Sequence, residues 1–226
     1  MLNDYRKHDI DYRVRRMGAY PLDVMLIGAT GTGKSTTLNT IFGADTAKVG
    51  NSFAPETMDV TEHRLNNILR FWDTPGLGDS IGNDKEHSRK ITAKLRETYH
   101  VNSKGNFGLI DLVLVVIDGS TRDLGTVYTL FVDVLLPNIQ ADRILTVINQ
   151  CDMAMSGRHW DYSRNVPDST LLDFLNEQVR TITRRISETT GKNIIPPVYY
   201  SAEYGYNIER VLDLIIDHIP SERRKI

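Results

Sequence analysis

Cysteine is nearly absent. Cys151 is the one cysteine in 226 residues, so no internal disulfide can form, and no Cys/His grouping has zinc-finger spacing. Such a chain suits a reducing compartment. Long apolar runs are missing as well. The longest, Leu112 to Ile117, falls far short of the roughly 20 residues that cross a bilayer, so no integral membrane segment is expected. The N-terminal residues are charged from Asp4 onward and lead into no hydrophobic core, which argues against a secretory signal and for the cytoplasm. Charge of one sign is lacking too: 27 Lys+Arg face 29 Asp+Glu, giving −2, so nothing supports general binding to a nucleic-acid backbone. The six histidines show no metal-ligand spacing, and surface or packing roles are expected of them. With 40% hydrophobic and 25% charged residues, what remains is an ordinary globular composition, long enough for one domain with appendages.

Apolar runs of strand length alternate with longer segments of helical period, the pattern of a mostly parallel sheet covered on both faces. The runs predict six strands: Leu22–Gly28, Val60–Leu65, Ile68–Asp73, Leu112–Asp118, Ile144–Asn149 and Val198–Ser201, the second and third forming a hairpin around Asn66-Asn67. Helices are predicted over Lys34–Phe42, Asp84–Tyr99, Leu124–Leu136, Ser169–Thr189 and Asn207–Ile219. The first 20 residues carry five Arg/Lys and three Asp without a clear period and read as a docking helix or a loose arm. The polar, aromatic stretch 153–168 reads as an ordered insertion, and 221–226 as a basic tail.

Chemistry is concentrated at the ends of the predicted strands. Gly28-Ala29-Thr30-Gly31-Thr32-Gly33-Lys34-Ser35 fits G-x-x-x-x-G-K-[ST] and lies between a strand and a helix. Its glycines let backbone N–H groups wrap a phosphate at a helix N-terminus, Lys34 reaches the β/γ oxygens, and Ser35 offers a hydroxyl to Mg²⁺, with Thr36 next in line. Asp73-Thr-Pro-Gly76 closes the third strand, where a carboxylate can hold Mg²⁺ and a glycine N–H can sense a γ-phosphate. Asn149-Gln150-Cys-Asp152 and Ser201-Ala202-Glu203 follow two further strands, at the sheet edge where such folds bind ligands. A carboxylate at Asp152 can accept from guanine N1–H and its 2-amino group, while Ser201-Ala202 cap the base; adenine offers neither donor. Cys151, at the variable position of its motif, reads as a buried bystander.

This ordered set resembles the translation-factor class of P-loop GTPases, and specifically the Era/TrmE-type branch. The wording of Trp72-Asp-Thr-Pro-Gly-Leu-Gly-Asp79, Ile110-Asp-Leu-Val-Leu-Val-Val-Ile-Asp-Gly-Ser-Thr-Arg-Asp-Leu-Gly125 and Asn149-Gln-Cys-Asp-Met-Ala-Met155 is similar to the prophage-associated bacterial GTPases of the YfjP/YeeP type. The resemblance implies a three-layer α/β fold with a six-stranded mostly parallel sheet, a GTPase domain over 21–220, GTP and GDP as ligands, and Mg²⁺ as cofactor. It also implies a switch threonine that joins the metal shell. Thr57, in Pro55-Glu-Thr-Met-Asp59, matches best, and Thr61 is its rival. On this reading Lys34, Thr57 and Gly76 serve catalysis; Ser35, Thr57 and Asp73 hold the metal; residues 28–36, Asn149, Gln150, Asp152, Ser201, Ala202 and Glu203 bind the nucleotide.

Three departures from the family pattern carry consequences. Leu77 stands where many relatives place a glutamine that orients the attacking water, so slow intrinsic hydrolysis is expected. Gly31 replaces the asparagine of potassium-activated relatives, which removes that route to potassium. Gln150 replaces the lysine of the base motif, keeping Asn149 and Asp152 but losing a charge. A slow GTPase switch therefore competes with a nucleotide-gated interaction module of negligible turnover, and an ATP-using P-loop enzyme fails only if Asp152 contacts the base. A protein partner is left open. After Ser201 only one helix and a short tail follow, so no RNA-binding domain is expected.

Overall fold

The structure, a computed structural model, describes residues 4–18, 20–43, 59–78, 81–101, 105–121 and 124–226. In chain order the main elements are α1 (Lys7–Met17), β1 (Leu22–Gly28), α2 (Lys34–Phe42), β2 (Thr61–Arg64), β3 (Leu69–Asp73), α3 (Ile81–Arg96), β4 (Thr98–Val101), β5 (Gly105–Gly108) and β6 (Leu112–Asp118). They continue with α4 (Gly125–Thr129), β7 (Ile144–Asn149), β8 (Trp160–Asp161), β9 (Val166–Pro167), α5 (Ser169–Thr190), β10 (Val198–Tyr199) and α6 (Ile208–Asp217).

The principal sheet runs β10-β7-β6-β1-β3-β2, parallel except where β2 pairs antiparallel with β3. The hairpin between them turns where Asn66 Oδ1 accepts from the main-chain N–H of Ile68 (2.8 Å) and Leu69 (2.9 Å). Alternation along β1 divides the core. Leu22, Val24 and Leu26 pack with Leu38 and Ile41 of α2, Val211 and Ile215 of α6, and Ile10 and Val14 of α1. Met25 and Ile27 face the other way, towards Ile91 and Leu95 of α3, Val127 of α4 and Ile182 and Ile186 of α5. This is the three-layer architecture of P-loop GTPases.

Within the N-terminal segment, Lys7–Met17 is helical and its apolar residues join the core. Ile10, Val14 and Met17 lie along one face of α1 and are buried, while Arg6 bonds Asp213 (2.7 Å) and Asp217 (2.8 Å) on α6. Other expectations need correction. The helix expected over 84–99 begins and ends earlier, because Thr98–Val101 pairs with Gly105–Gly108 as a hairpin instead. The helix expected over 124–136 is α-helical only to Thr129 and continues as a π-turn, Leu130–Leu135. Val198–Ser201 shortens to Val198–Tyr199, since Ser201 leaves the sheet to bridge Tyr206.

The stretch 153–168 folds around the β8/β9 hairpin, with Trp160 buried among Cys151, Ala154, Leu171 and Leu175. The segment 221–226 lies against the domain: Arg224 is buried and donates to the carbonyls of Leu95, Ile110 (3.0 Å) and Asn138 (2.8 Å), and Arg223 sits 4.4 Å from the Tyr99 ring centroid. Among the described residues no helix is long and apolar enough to cross a membrane.

Candidate functional site

β1 ends at Gly28 at the carboxyl edge of the sheet, and the chain turns through residues 29–33 into α2. Gly33 caps α2 with φ +81°, and a Cβ there would run into the Asn149 side-chain amide, so both backbone and space require glycine. Lys34 is buried, and its Nζ donates to the carbonyls of Gly28 (3.1 Å) and Ala29 (3.0 Å) at the mouth of the loop. Ser35 Oγ donates to Asp73 Oδ2 at 2.8 Å, which joins the two groups expected to share a metal across α2 and β3. Asp73 is buried, and the Thr32 hydroxyl donates to Ala29 O at 2.9 Å. Thr36 contributes its carbonyl to the Thr40 hydroxyl, 2.9 Å away.

The segment after Asp73 lies directly on this loop. Thr30 N–H donates to Leu77 O (2.8 Å) and Leu77 N–H to Gly28 O (3.3 Å), extending the parallel pairing of β1 and β3 into the glycine-rich turn. Gly76 packs so closely that a Cβ would lie 2.6 Å from Thr30 Cα. The Leu77 side chain points away, into the apolar cluster of Met25, Ile27 and Trp72. Thr57 lies outside the described residues. Its rival, Thr61, is exposed on β2, paired in register with Asp73.

Asn149 ties the two halves of the edge together. It is buried at the end of β7, donates from Nδ2 to Thr32 O (2.9 Å), and accepts from Ala202 N–H on Oδ1 (2.9 Å). Gln150, at φ +59°, donates to Gly31 O at 2.7 Å. Asp152 is 4% exposed, and its Oδ1 has no hydrogen-bond partner among the described residues. A buried carboxylate oxygen without a donor is costly unless a ligand supplies one. Ser201 and Ala202 are buried beside this loop, while Glu203 is exposed. Cys151 is fully buried, which pushes its thiol well above the ordinary range and leaves it inert.

Four supports carried no motif signal. Thr37 donates to Gly33 O (2.7 Å) and meets the buried Tyr200 hydroxyl at 2.7 Å; the Thr40 hydroxyl donates to Ala202 O at 2.7 Å. The fourth is His87, buried on α3, whose Nδ1 lies 2.7 Å from Gly76 O. Helical spacing of Thr37 and Thr40 from Gly33 placed them on the right side of α2, but nothing in the sequence named their partners.

A model of the 50S ribosome-binding GTPase family matches residues 23–150, from β1 through the Asn149 loop. The chain belongs to this family. GTPase HflX of Caldanaerobacter subterraneus subsp. tengcongensis is 29% identical over 214 residues, covering 92% of this chain and 47% of that protein. Among solved structures, Toc33 of Arabidopsis thaliana in complex with GDP and Mg²⁺ aligns with 99% of this chain and 94% of its own at a TM-score of 0.66 and 14% identity. Era of Aquifex aeolicus bound to GDP.AlF4⁻ aligns with 88% of this chain and 56% of its own, at a TM-score of 0.55 and 18% identity. These likenesses establish a shared fold with P-loop GTPases. The chain spans between 9% and 47% of the length of the curated relatives it matches.

Proposed function

We propose that this family member is a nucleotide-dependent switch that binds Mg²⁺-GTP and slowly hydrolyses it to GDP and phosphate. The observation that carries the reading is Asp152. Its buried, unpartnered oxygen stands on the same sheet edge as the glycine-rich loop, linked to it through Asn149. The two donors on guanine's Watson–Crick edge satisfy that oxygen, and adenine has neither.

The donor set also fits Mg²⁺, a hard cation that takes oxygen ligands: Ser35 Oγ and Asp73 Oδ2 already meet at 2.8 Å beside the loop. Ser35 and Asp73 would hold the ion, with Thr57 proposed as the switch-side ligand on the family resemblance. When bound, Mg²⁺ offsets charge on the β- and γ-phosphates. The chain's own work is positioning and electrostatic stabilisation. Loop N–H groups of residues 29–35 and the start of α2 bind the phosphates, Lys34 turns from its loop carbonyls to the β and γ oxygens, and the Gly76 N–H contacts the γ-phosphoryl group. Gln150, Ser201, Ala202 and Glu203 frame the base beside Asp152. Leu77 can neither donate nor accept through its side chain, so water must be positioned by main-chain groups or a partner, and turnover is slow.

Within the family we assign the chain to the Era/TrmE-type branch, near the prophage-associated proteins of the YfjP/YeeP type, and to the cytoplasm, on the wording of its motifs. The burial of Leu77 favours one second reading, a nucleotide-gated interaction module with negligible turnover. Affinities for GTP, GDP and ATP, with turnover measured with and without a cell extract, separate these readings. Guanine preference with measurable hydrolysis supports the switch, preference without hydrolysis supports the module, and no guanine preference sinks both.

A further inference from the structure

Among the described residues, His87 is the histidine that bonds to the edge carrying the glycine-rich loop. It is 2% exposed, in the second turn of α3, and its Nδ1 lies 2.7 Å from Gly76 O. A carbonyl only accepts, so Nδ1 carries the proton and donates it. The peptide joining Gly76 to Leu77 is thereby held at both ends, its carbonyl by His87 and its N–H by Gly28 O at 3.3 Å. The next peptide, from Leu77 to Gly78, is fixed as well: Leu77 O accepts from Thr30 N–H at 2.8 Å, and Gly78 N–H donates to Asp84 Oδ1 at 2.8 Å. Gly76 is thus held close to Thr30 through the main-chain bonds of its neighbour Leu77, and His87 supplies a side-chain bond that ties its carbonyl to α3.

We infer that His87 is a positioning residue for the γ-phosphate, acting through Gly76; this rests on the GTP reading above. Rotation of the Gly76 backbone would swing its amide away from a γ-phosphoryl group while leaving the loop that holds the α- and β-phosphates in place. His87 limits that rotation by bonding the carbonyl one atom beyond the glycine Cα. A histidine that merely fills space would do its work through volume, and leucine would replace it. A positioning histidine needs its Nδ1 donor, which asparagine reproduces at nearly the same reach and leucine lacks.

The test compares wild type, His87→Leu and His87→Asn in binding GDP and a non-hydrolysable GTP analogue with Mg²⁺, together with single-turnover hydrolysis. For His87→Leu the expected result is an analogue-to-GDP affinity ratio lowered about tenfold, the size that follows when a buried carbonyl loses its donor, with GDP affinity unchanged. Hydrolysis should slow by a similar factor, and His87→Asn should recover most of both. An unchanged ratio in His87→Leu overturns the inference. So does an equal loss of GDP and analogue binding, which marks a purely structural role, or a His87→Asn variant as impaired as His87→Leu. Wild-type protein that binds neither nucleotide overturns the GTP reading and this inference with it, whereas failure confined to His87 leaves that reading standing.

Discussion

Replacing Asn149 with alanine removes two buried hydrogen bonds at once, one to Thr32 O and one from Ala202 N–H, each 2.9 Å long. Both partners are main-chain groups at a site where Asn149 itself is 2% exposed, so water reaches them poorly. Leaving a buried polar group unpaired costs about 1–3 kcal/mol, which gives about 2–6 kcal/mol for the pair, a large part of the roughly 5–15 kcal/mol that holds a domain folded. A water admitted into the space vacated by the amide would bring the loss to the low end, near 2 kcal/mol. Urea unfolding without nucleotide is the assay, because ligand binding would add its own stabilisation to the folded state. The midpoint should fall by about 1 M with an unchanged slope, given slopes of about 1–3 kcal/mol per M. Asn149→Asp keeps an acceptor for Ala202 N–H but turns a carboxylate oxygen towards Thr32 O, so it should be no better than alanine. Gln150→Ala, which loses one half-exposed bond to Gly31 O, is the control and should cost less than about 1 kcal/mol. Equal effects of Asn149→Ala and Gln150→Ala would refute the crosslinking role.

Leu77→Gln should lower stability by about 1–3 kcal/mol, because the amide enters the apolar cluster of Met25, Ile27 and Trp72, and should leave turnover within tenfold of wild type. A rise of about 10²-fold, roughly 2.7 kcal/mol at the transition state, would show that the side chain turns outward and that the missing glutamine alone was limiting. Asp111, fully buried just ahead of β6, gives a pH dependence: burial pushes its carboxyl from 3.8 up to about 7. The folded state then holds a proton that the unfolded chain releases, so this stability is fully present below the unfolded value and is lost as pH rises through about 7. Unfolding free energies from urea titrations should decline between about pH 4 and 7 by up to about 4 kcal/mol, and Asp111→Asn should flatten that slope; an identical slope in the variant contradicts the assignment.

The central strands were legible because they are buried on both faces and therefore read as unbroken apolar runs, as in Leu112–Asp118 and Ile144–Asn149. The glycine-rich loop and the Asp73, Asn149 and Ser201 motifs stand out in the sequence because the proposed phosphate and base chemistry demands fixed residue types at fixed spacing. Elements decided by tertiary contact were less legible. Tyr99 and Phe107 pair in a hairpin that no turn dipeptide announces, and Leu130–Leu135 takes the π form inside an apolar segment with ordinary helical composition. His87 shows the same limit within the site. Its role depends on the carbonyl of Gly76, and a main-chain acceptor leaves no trace in side-chain identity. The helix Lys7–Met17 was ambiguous because its three buried positions are spaced among six charged ones, and the apolar residues they cluster with come from distant parts of the chain.

The central claim is that Asp152 reads guanine, and the most direct test is competition among GTP, xanthosine triphosphate and ATP for wild type and Asp152→Asn. The carboxylate accepts from N1–H and the 2-amino group, whereas the variant's amide presents a donor to one of those donors and suits the C2 carbonyl of xanthine. Loss of a paired, charge-assisted contact in a buried site costs about 1.5–3 kcal/mol, at least roughly tenfold in affinity. The account predicts that wild type prefers GTP and that the variant loses GTP affinity by that factor while gaining relative affinity for xanthosine triphosphate. The same order of preference in both proteins would contradict it.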